Sequence, residues 1–313
     1  MTINKAHYAM LILIVCMPII FLSGCLSDDE AITIDMDEID TTLKTQSNVS
    51  SLKIAVSAMI SPTETIVYYE DLLAYISKKI NHPIELVQRE TYAETNDLVE
   101  SQYLDAAFVC SGAYIDGRDR FGMELLVAPV VKGEPVYYSY IIVPIDSDAT
   151  RFEDLRGKKF AFTDEMSNTG KLSPTCMLAL INETPDSFFS GYIFTYSHDK
   201  SIEAVSKGLV DGAAVDSLIW DYNSARNPVY TNKTKIISKS QPYGIPPIVV
   251  HPDTNPDFKI ELQNILLTMH EDPEGADILK HINIDKFTII NNSAYDSVGE
   301  MSVFAEAQGA EDE

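Results

Sequence analysis

Residues 161–170 read AFTDEMSNTG, and the change of pattern within them decides the fold. A short apolar run ends at Thr163, and a helix-like pattern covers residues 172–181. Between them lie the small and polar residues of a turn: Asp164, Ser167, Asn168, Thr169 and Gly170. The first N–H groups of a helix have no intrahelical partner, so together with hydroxyls they can hold an oxyanion. The alternative is an N-cap cluster that satisfies only its own helix.

On both sides of this stretch, strand patterns alternate with helix patterns. Residues 52–56 form an apolar strand pattern, and Ser61-Pro62-Thr63-Glu64 then combines a cap, a proline at the first helical position and a capping-box glutamate. A second capping box is predicted at Thr91 and Glu94. Repeated alternation predicts an α/β fold with mostly parallel sheets covered by helices.

Two extended segments predict crossings between two lobes. The first crossing is the strand at residues 139–144, and the second follows Pro246 and Pro247. We therefore predict a bilobal fold, in which residues 51–139 and 245–313 form lobe 1 and residues 140–244 form lobe 2. A ligand is expected in the cleft, at the carboxyl ends of the strands.

The N-terminus has the pattern of an export signal. Lys5 and His7 precede an apolar run, and residues 22–25 read Leu-Ser-Gly-Cys, which resembles a lipobox ending at Cys25. We predict a signal peptide over residues 1–25, a lipid anchor on Cys25 and an acidic tether over residues 26–50. An uncleaved membrane helix is the alternative, although the run is shorter than the roughly 20 residues that span a bilayer. Both interpretations place the folded part outside the cytoplasmic membrane.

The formal charge of −24 comes from 47 acidic and 23 basic residues. The resulting negative field repels nucleic acid and anionic membrane surfaces, which argues against either as a partner. An anionic ligand would have to be recognised locally. Cys110 and Cys176 lack metal-ligand spacing, so we expect no metal; buried free thiols and a disulfide both stay open.

Six segments together resemble the phosphate, phosphite and phosphonate-binding proteins of ABC importers. They are RETYAETNDLVES, AFVCSGAYI, GKKFAFTDEMSNTG, FTYSHDKSIEAVSKGLVDGAAVDS, YGIPPIVV and HEDPEGADIL. The resemblance runs over residues 52–298 and implies a type II periplasmic-binding-protein fold. It further implies a monomeric, non-enzymatic subunit without a cofactor, which closes on a phosphorus oxyanion and delivers it to permease and ATPase subunits.

The resemblance assigns ligand contacts to the loop and to one histidine. Where the family usually has Ser-Thr-Ser-Gly, this chain has Ser167, Asn168, Thr169 and Gly170, so side-chain donors survive. The family histidine that donates to the oxyanion corresponds to His198. Taken from the residues alone, a surface histidine or a residue of the N-cap region is favoured for His198.

The resemblance also places Tyr92 and Tyr137 around the ligand, with Tyr114 a weaker candidate; for Tyr137 a core or surface position is the alternative. Asp216 ends a predicted strand and would select protonated oxyanions, unless it serves as an N-cap. Relatives that take aminoethylphosphonate hold its ammonium at two positions that here are Leu218 and Pro246. The absence of acidic residues at these two positions favours a small ligand such as phosphite, methylphosphonate or phosphate.

Two other functions are compatible with the same sequence pattern. A sensor would signal to a membrane partner from the same cleft. An enzyme acting on a phosphorus compound would need a nucleophile and base, a metal cluster or a phosphate loop, and Ser167 has no assignable base.

Overall fold

The computed structural model describes residues 51–309, which carry thirteen strands and ten helices. The predicted signal peptide, the tether and Cys25 lie outside the described residues. The strands are β1 (Leu52–Val56), β2 (Ile84–Val87), β3 (Ala106–Phe108), β4 (Glu124–Val130), β5 (Val136–Tyr137), β6 (Ser139–Pro144), β7 (Lys159–Phe162), β8 (Gly191–Phe194), β9 (Gly212–Asp216), β10 (Thr234–Lys239), β11 (Tyr243–Gly244), β12 (Ile248–Val250) and β13 (Lys286–Thr288). The helices are α1 (Pro62–Ile80), α2 (Tyr92–Glu100), α3 (Ser111–Phe121), α4 (Ser173–Ala179), α5 (Pro185–Phe188), α6 (His198–Ser206), α7 (Ser217–Arg226), α8 (Pro256–Thr268), α9 (Pro273–His281) and α10 (Asp296–Gly309).

The strands form two mixed sheets, each the centre of one lobe. The first sheet has the order β13-β4-β12-β3-β1-β2, and the second has the order β10-β6-β9-β7-β8. Parallel pairing joins β2, β1 and β3 in the first sheet and β8, β7 and β9 in the second. The other pairs are antiparallel, so the sheets are mixed rather than mostly parallel.

The direction of the crossing strands explains this difference. β6 and β12 enter their sheets from the other lobe and not through a helical crossover, and each runs against the strands beside it. β5 and β11 pair with each other as a two-stranded ribbon between the sheets. This ribbon lies where the sequence predicts the two crossings, while the lobe boundaries at residues 140 and 244 stay a prediction.

Each sheet has its own apolar core. α1 buries Leu72, Leu73, Ile76 and Ile80 against the first sheet. The second sheet packs a group of stacked and edge-on phenylalanines, among which Phe160 and Phe189 stack at 4.4 Å between ring centroids. This division of the core lets each lobe keep its shape when the two move relative to each other.

The predicted caps have different outcomes. Thr91 and Glu94 form the predicted capping box at the start of α2. Ser61 makes no side-chain cap at α1; its backbone N–H instead donates to Asp199 Oδ1 at 2.8 Å. Asp199 belongs to the second lobe, so a contact between lobes has replaced a local one.

Cys110 and Cys176 are buried free thiols, which decides the alternative that the sequence left open. Within residues 51–309, no helix is both long and apolar enough to cross a membrane. The same residues contain no group of histidine, cysteine and carboxylate side chains suited to a metal ion.

Candidate functional site

The predicted oxyanion loop begins with a π-helical turn, Asn168–Leu172, and not with a regular α-helix. The N–H of Leu172 donates to the carbonyl of Ser167 five residues earlier, at 2.9 Å. Pro174 has no N–H to give the carbonyl of Gly170, and that carbonyl accepts from the N–H of Thr163 instead, at 3.2 Å. Turns of this kind occur frequently at functional sites.

The cap and the site coexist in this loop. Ser167 Oγ accepts from the N–H of Gly170 at 3.0 Å, so this hydroxyl oxygen serves as the N-cap. Gly170 must be glycine, because an added Cβ would overlap the side chain of Thr163 and lie 2.9 Å from Ser167 Oγ. The N–H groups of Asn168 and Thr169 occupy the first turn, where intrahelical partners are missing.

Asn168 and Thr169 are fully buried, and each keeps an unpartnered oxygen. Thr169 Oγ1 and Asn168 Oδ1 have no hydrogen-bond partner among the described residues. Asn168 Nδ2 donates to the hydroxyl of Tyr137 at 3.1 Å, and its N–H reaches Cys110 Sγ at 3.5 Å. These two contacts bring the loop of the second lobe onto the first lobe and the crossing ribbon.

His198, the first residue of α6, is 1% exposed, so its interpretation as a surface histidine is wrong. Its Nδ1 accepts from the N–H of Asp216 at 3.1 Å, which leaves the ring proton on Nε2. Burial lowers the pKa of His198 to about 3, so the imidazole is neutral at physiological pH. The N–H of His198 also donates to the carbonyl of Met59 in the first lobe, at 3.0 Å. The structure thus makes His198 a fixed, neutral Nε2–H donor.

Asp216 has one of the two roles that the sequence left open, and the other stays a prediction. It is the N-cap of α7, and its Oδ1 accepts from the N–H of Leu218 at 2.7 Å. It is also 2% exposed, and burial raises the pKa of its carboxyl to about 7. Near neutral pH, Asp216 can therefore carry the proton that lets a carboxyl donate to an oxyanion.

The three predicted tyrosines have different surroundings. Tyr92 is fully buried, and its hydroxyl lies near Ser167 without a partner of hydrogen-bond geometry. Tyr137 is also fully buried, and its hydroxyl holds the amide of Asn168. Tyr114 donates instead to Asn292 Oδ1 at 2.9 Å and packs edge-on against Tyr295, which makes it part of the core of the first lobe.

Three further residues lie in this region, and none of them was predicted to contact the ligand. Ser57 follows β1, and Ser197 precedes α6; both hydroxyl oxygens are buried and unpartnered. Asp164 Oδ2 accepts from the N–H of Tyr92 at 3.1 Å, across the lobes, at the N-terminus of α2. A signal existed for Ser57 and Asp164, since each follows a predicted strand at its carboxyl end, where ligands of α/β sheets bind.

The unpartnered oxygens form the strongest pattern of the site. Of nine buried side-chain N or O atoms without a partner in the described part of the chain, five belong to Ser57, Tyr92, Asn168, Thr169 and Ser197. These residues stand at the ends of β1, α2, the π-helical turn and α6. A buried polar group without a partner costs about 1–3 kcal/mol, so their concentration here indicates a polar ligand.

Two α/β lobes, a paired crossing ribbon and a buried polar site between the lobes define a bilobal solute-binding protein of type II fold. A protein-family model for the periplasmic substrate-binding protein of phosphonate ABC transporters matches residues 54–295. The chain belongs to this family.

Known proteins agree with this assignment. The phosphate-import protein PhnD of Mycolicibacterium smegmatis is 28% identical over 162 residues, which span 48% of this chain and 50% of that protein. A binding protein component of an ABC phosphonate transporter from Pseudomonas aeruginosa superposes with a TM-score of 0.79 at 20% identity, over 84% of this chain and 89% of that one. PhnD1 from Prochlorococcus marinus, in complex with methylphosphonate, superposes with a TM-score of 0.74 at 18% identity, over 81% and 97%.

Proposed function

We propose that this chain is the extracytoplasmic solute-binding subunit of an ABC importer, and that it closes its lobes on a phosphonate or a related phosphorus oxyanion. The observation that carries the proposal is the group of buried, unpartnered hydroxyls at Ser57, Tyr92, Thr169 and Ser197. Hydroxyls can turn their protons toward an anion, as the phosphonate or phosphate ligands of its relatives require.

The proposed contacts divide by role. His198 Nε2–H and the first-turn N–H groups would donate to the oxyanion, with the hydroxyls around them. A bound anion would raise the pKa of His198 and hold the proton of Asp216, because an adjacent negative charge favours protonation. The ligand-binding residues we propose are Tyr92, Tyr137, Ser167, Asn168, Thr169, Gly170, His198 and Asp216, to which we add Ser57 and Ser197 because their buried hydroxyls have no partner.

The remaining parts of the proposal concern partners and place. We propose that Cys25 anchors the chain by lipid to the outer face of the cytoplasmic membrane, and that a permease and an ATPase receive the ligand. We propose that the chain binds its ligand and does not catalyse a reaction. His198 is neutral and its Nδ1 already accepts a hydrogen bond from the Asp216 N–H, which argues against a catalytic role for the imidazole. The family to which the chain belongs and the names of its relatives support import.

Thr169→Val tests the site with little risk to the fold. Removing an unpartnered buried hydroxyl should leave the free energy of unfolding unchanged or raise it by about 1 kcal/mol, because the desolvation cost disappears. A hydrogen bond to a charged ligand is worth about 1.5–3 kcal/mol, so the Kd for the oxyanion should rise about 10- to 100-fold. Calorimetric titration of the full chain with phosphate, phosphite, methylphosphonate and aminoethylphosphonate measures the change.

Thr234→Val is the matched control. Thr234 is also buried, but its hydroxyl accepts from Trp220 Nε1 and donates to the carbonyl of Thr231. This variant should lose stability by about 1 kcal/mol per hydrogen bond and keep its affinity. Failure of all four oxyanions to bind, or unchanged affinity in Thr169→Val, would contradict the proposed function.

A further inference from the structure

A large cavity opens between the lobes beside the oxyanion site. Its volume is about 830 Å³, and residues of both lobes line it. Cavities of about 300–1,000 Å³ accommodate drug-sized molecules. Phosphite or methylphosphonate has a phosphorus atom, three oxygens and at most one carbon, so such a ligand would occupy a small part of this space.

Two hydrogen bonds place the cavity next to the proposed oxyanion donors. Asp216 lines the cavity, and its backbone N–H donates to the imidazole of His198 at 3.1 Å. Met59 also lines the cavity, and its carbonyl accepts from the N–H of His198 at 3.0 Å. Burial is the largest cause of the raised pKa of Tyr69 in the cavity and of Tyr92 in the site, and the charge of Asp216 adds to both. The carboxyl of Asp216 therefore lies between the two spaces.

The walls of the cavity carry several aromatic side chains. They include Tyr68, Tyr69, Phe108, Tyr138, Tyr140 and Tyr222. The ring of Tyr68 in α1 meets the ring of Tyr222 in α7 edge-on, at 4.5 Å between centroids, so the aromatic wall is continuous across the lobes. Leu218, Ile219 and Pro246 extend the apolar surface near Asp216.

Several polar groups around these walls already have partners. The hydroxyl of Tyr68 donates to the carbonyl of Ile282 at 2.9 Å. Lys132 pairs with Asp221 at 2.7 Å, between the lobes, and Lys239 Nζ lies 3.5 Å from the centroid of the Tyr138 ring. A ligand group beside these residues would thus meet ring faces, apolar side chains and charges that already have partners.

We infer that the phosphorus oxyanion taken by this chain carries a bulky, uncharged and largely apolar substituent, an aryl or longer alkyl group, which occupies the aromatic cavity. The inference rests on the proposed function and specifies its ligand class. It departs from the sequence-based expectation of a small ligand, which considered the loss of ammonium partners and not the volume between the lobes. Ring stacking and burial of apolar surface would supply the selectivity.

A series of phosphonates tests the inference by calorimetric titration of the full chain. Methyl-, ethyl-, butyl- and benzylphosphonate keep the same oxyanion and differ in the substituent. Burying one methylene improves binding about fourfold, so affinity should rise through the alkyl series, with benzylphosphonate at least tenfold tighter than methylphosphonate. Affinity that stays level or falls with size would overturn the inference and leave the proposed function intact. Absence of binding by every member would overturn both.

Ala276→Trp fills the cavity from α9, away from the oxyanion donors, because Ala276 lines this space. It should weaken benzylphosphonate at least tenfold and change methylphosphonate less than threefold. The matched control is Ala225→Trp, at an exposed position of α7 outside the cavity lining, which should change neither affinity. Equal effects of Ala276→Trp on both ligands, or none on either, would count against the cavity as the substituent site.

Discussion

Asp216 caps a helix and is also buried at the proposed binding site. Its Oδ1 holds the N–H of Leu218, while burial raises the pKa of the carboxyl to about 7. The proton that would make Asp216 a donor is therefore half present near neutral pH. A simple cap would need no such burial, since an exposed aspartate caps equally well.

Asp216→Asn keeps the capping oxygen and removes the titration. In the unfolded chain, the pKa of an aspartate carboxyl is about 3.9. Because folding raises the pKa of Asp216, the ionised carboxyl destabilises the folded state increasingly between pH 4 and 7, and by a constant amount above pH 7. The stability of the variant relative to wild type should therefore rise from pH 5 to pH 8, on the order of 2 kcal/mol, in urea unfolding. Oxyanion affinity should fall above pH 7 in wild type and change less in the variant.

Asp272→Asn is the control for this prediction. Asp272 is the partly exposed N-cap of α9, and the hydrogen bond from Lys79 lowers the pKa of its carboxyl. Its ionised form stabilises the fold above the unfolded pKa, so this variant should lose stability at pH 8 relative to wild type. A pH dependence of binding in Asp216→Asn equal to that of wild type would contradict the role given to this carboxyl.

At the scale of elements, the start of α3 lies against the oxyanion loop of the other lobe. An added Cβ at Gly112 would overlap the carbonyl of Met166 and lie 3.1 Å from the backbone N of Asn168. The clash is with backbone, which cannot turn aside as a flexible side chain can. The contact between α3 and the loop thus requires glycine at this position.

Gly112→Ala should therefore prevent full closure while both lobes stay folded. We expect at least a tenfold loss of oxyanion affinity, together with loss of the ligand-induced compaction seen by small-angle X-ray scattering. Gly117→Ala is the control in the same helix, because its added Cβ would meet the side chain of Met123 within one lobe. That variant should bind normally; a Gly112→Ala protein that binds within twofold of wild type would refute the argument.

At the scale of the whole molecule, closure joins the lobes through contacts on both sides of the site. Examples are the Ser61–Asp199 and Tyr92–Asp164 hydrogen bonds, and the Lys132–Asp221 ion pair. The exposed ion pair contributes little on its own, since such pairs are worth about 0–1 kcal/mol. We expect a ligand bound between the lobes to add more to the stability of the closed state than this ion pair does.

That coupling predicts a thermal shift. At a ligand concentration 100 times the Kd, binding stabilises the folded chain by about 2.7 kcal/mol. For a chain of this size, this corresponds to a rise in Tm of roughly 5–10 °C, measurable by scanning calorimetry. Thr169→Val at the same ligand concentration should show a smaller rise. An unchanged Tm at saturating ligand would mean that the ligand does not bind the folded state preferentially.

Local patterns were sufficient for much of the fold. Strand and helix alternation predicted the α/β class, Thr91 and Glu94 predicted the cap of α2, and the loop at residues 167–170 was located from its small polar residues. Each of these depends on neighbours within a few positions, where spacing along the chain determines spacing in space. The direction of the strands was predicted less well. β6 and β12 arrive from the other lobe, and each pairs antiparallel with its neighbours.

The sequence by itself determined the family, the two-lobed class and the segment that begins the site. Only the tertiary structure decided that His198 is buried and neutral, that Ser57, Asp164 and Ser197 lie in the candidate site, and that a cavity with aromatic walls adjoins it. The physical reason is that burial, pKa and cavity volume depend on groups from both lobes brought together by closure. Such groups are far apart in the chain, and no local spacing records their contact.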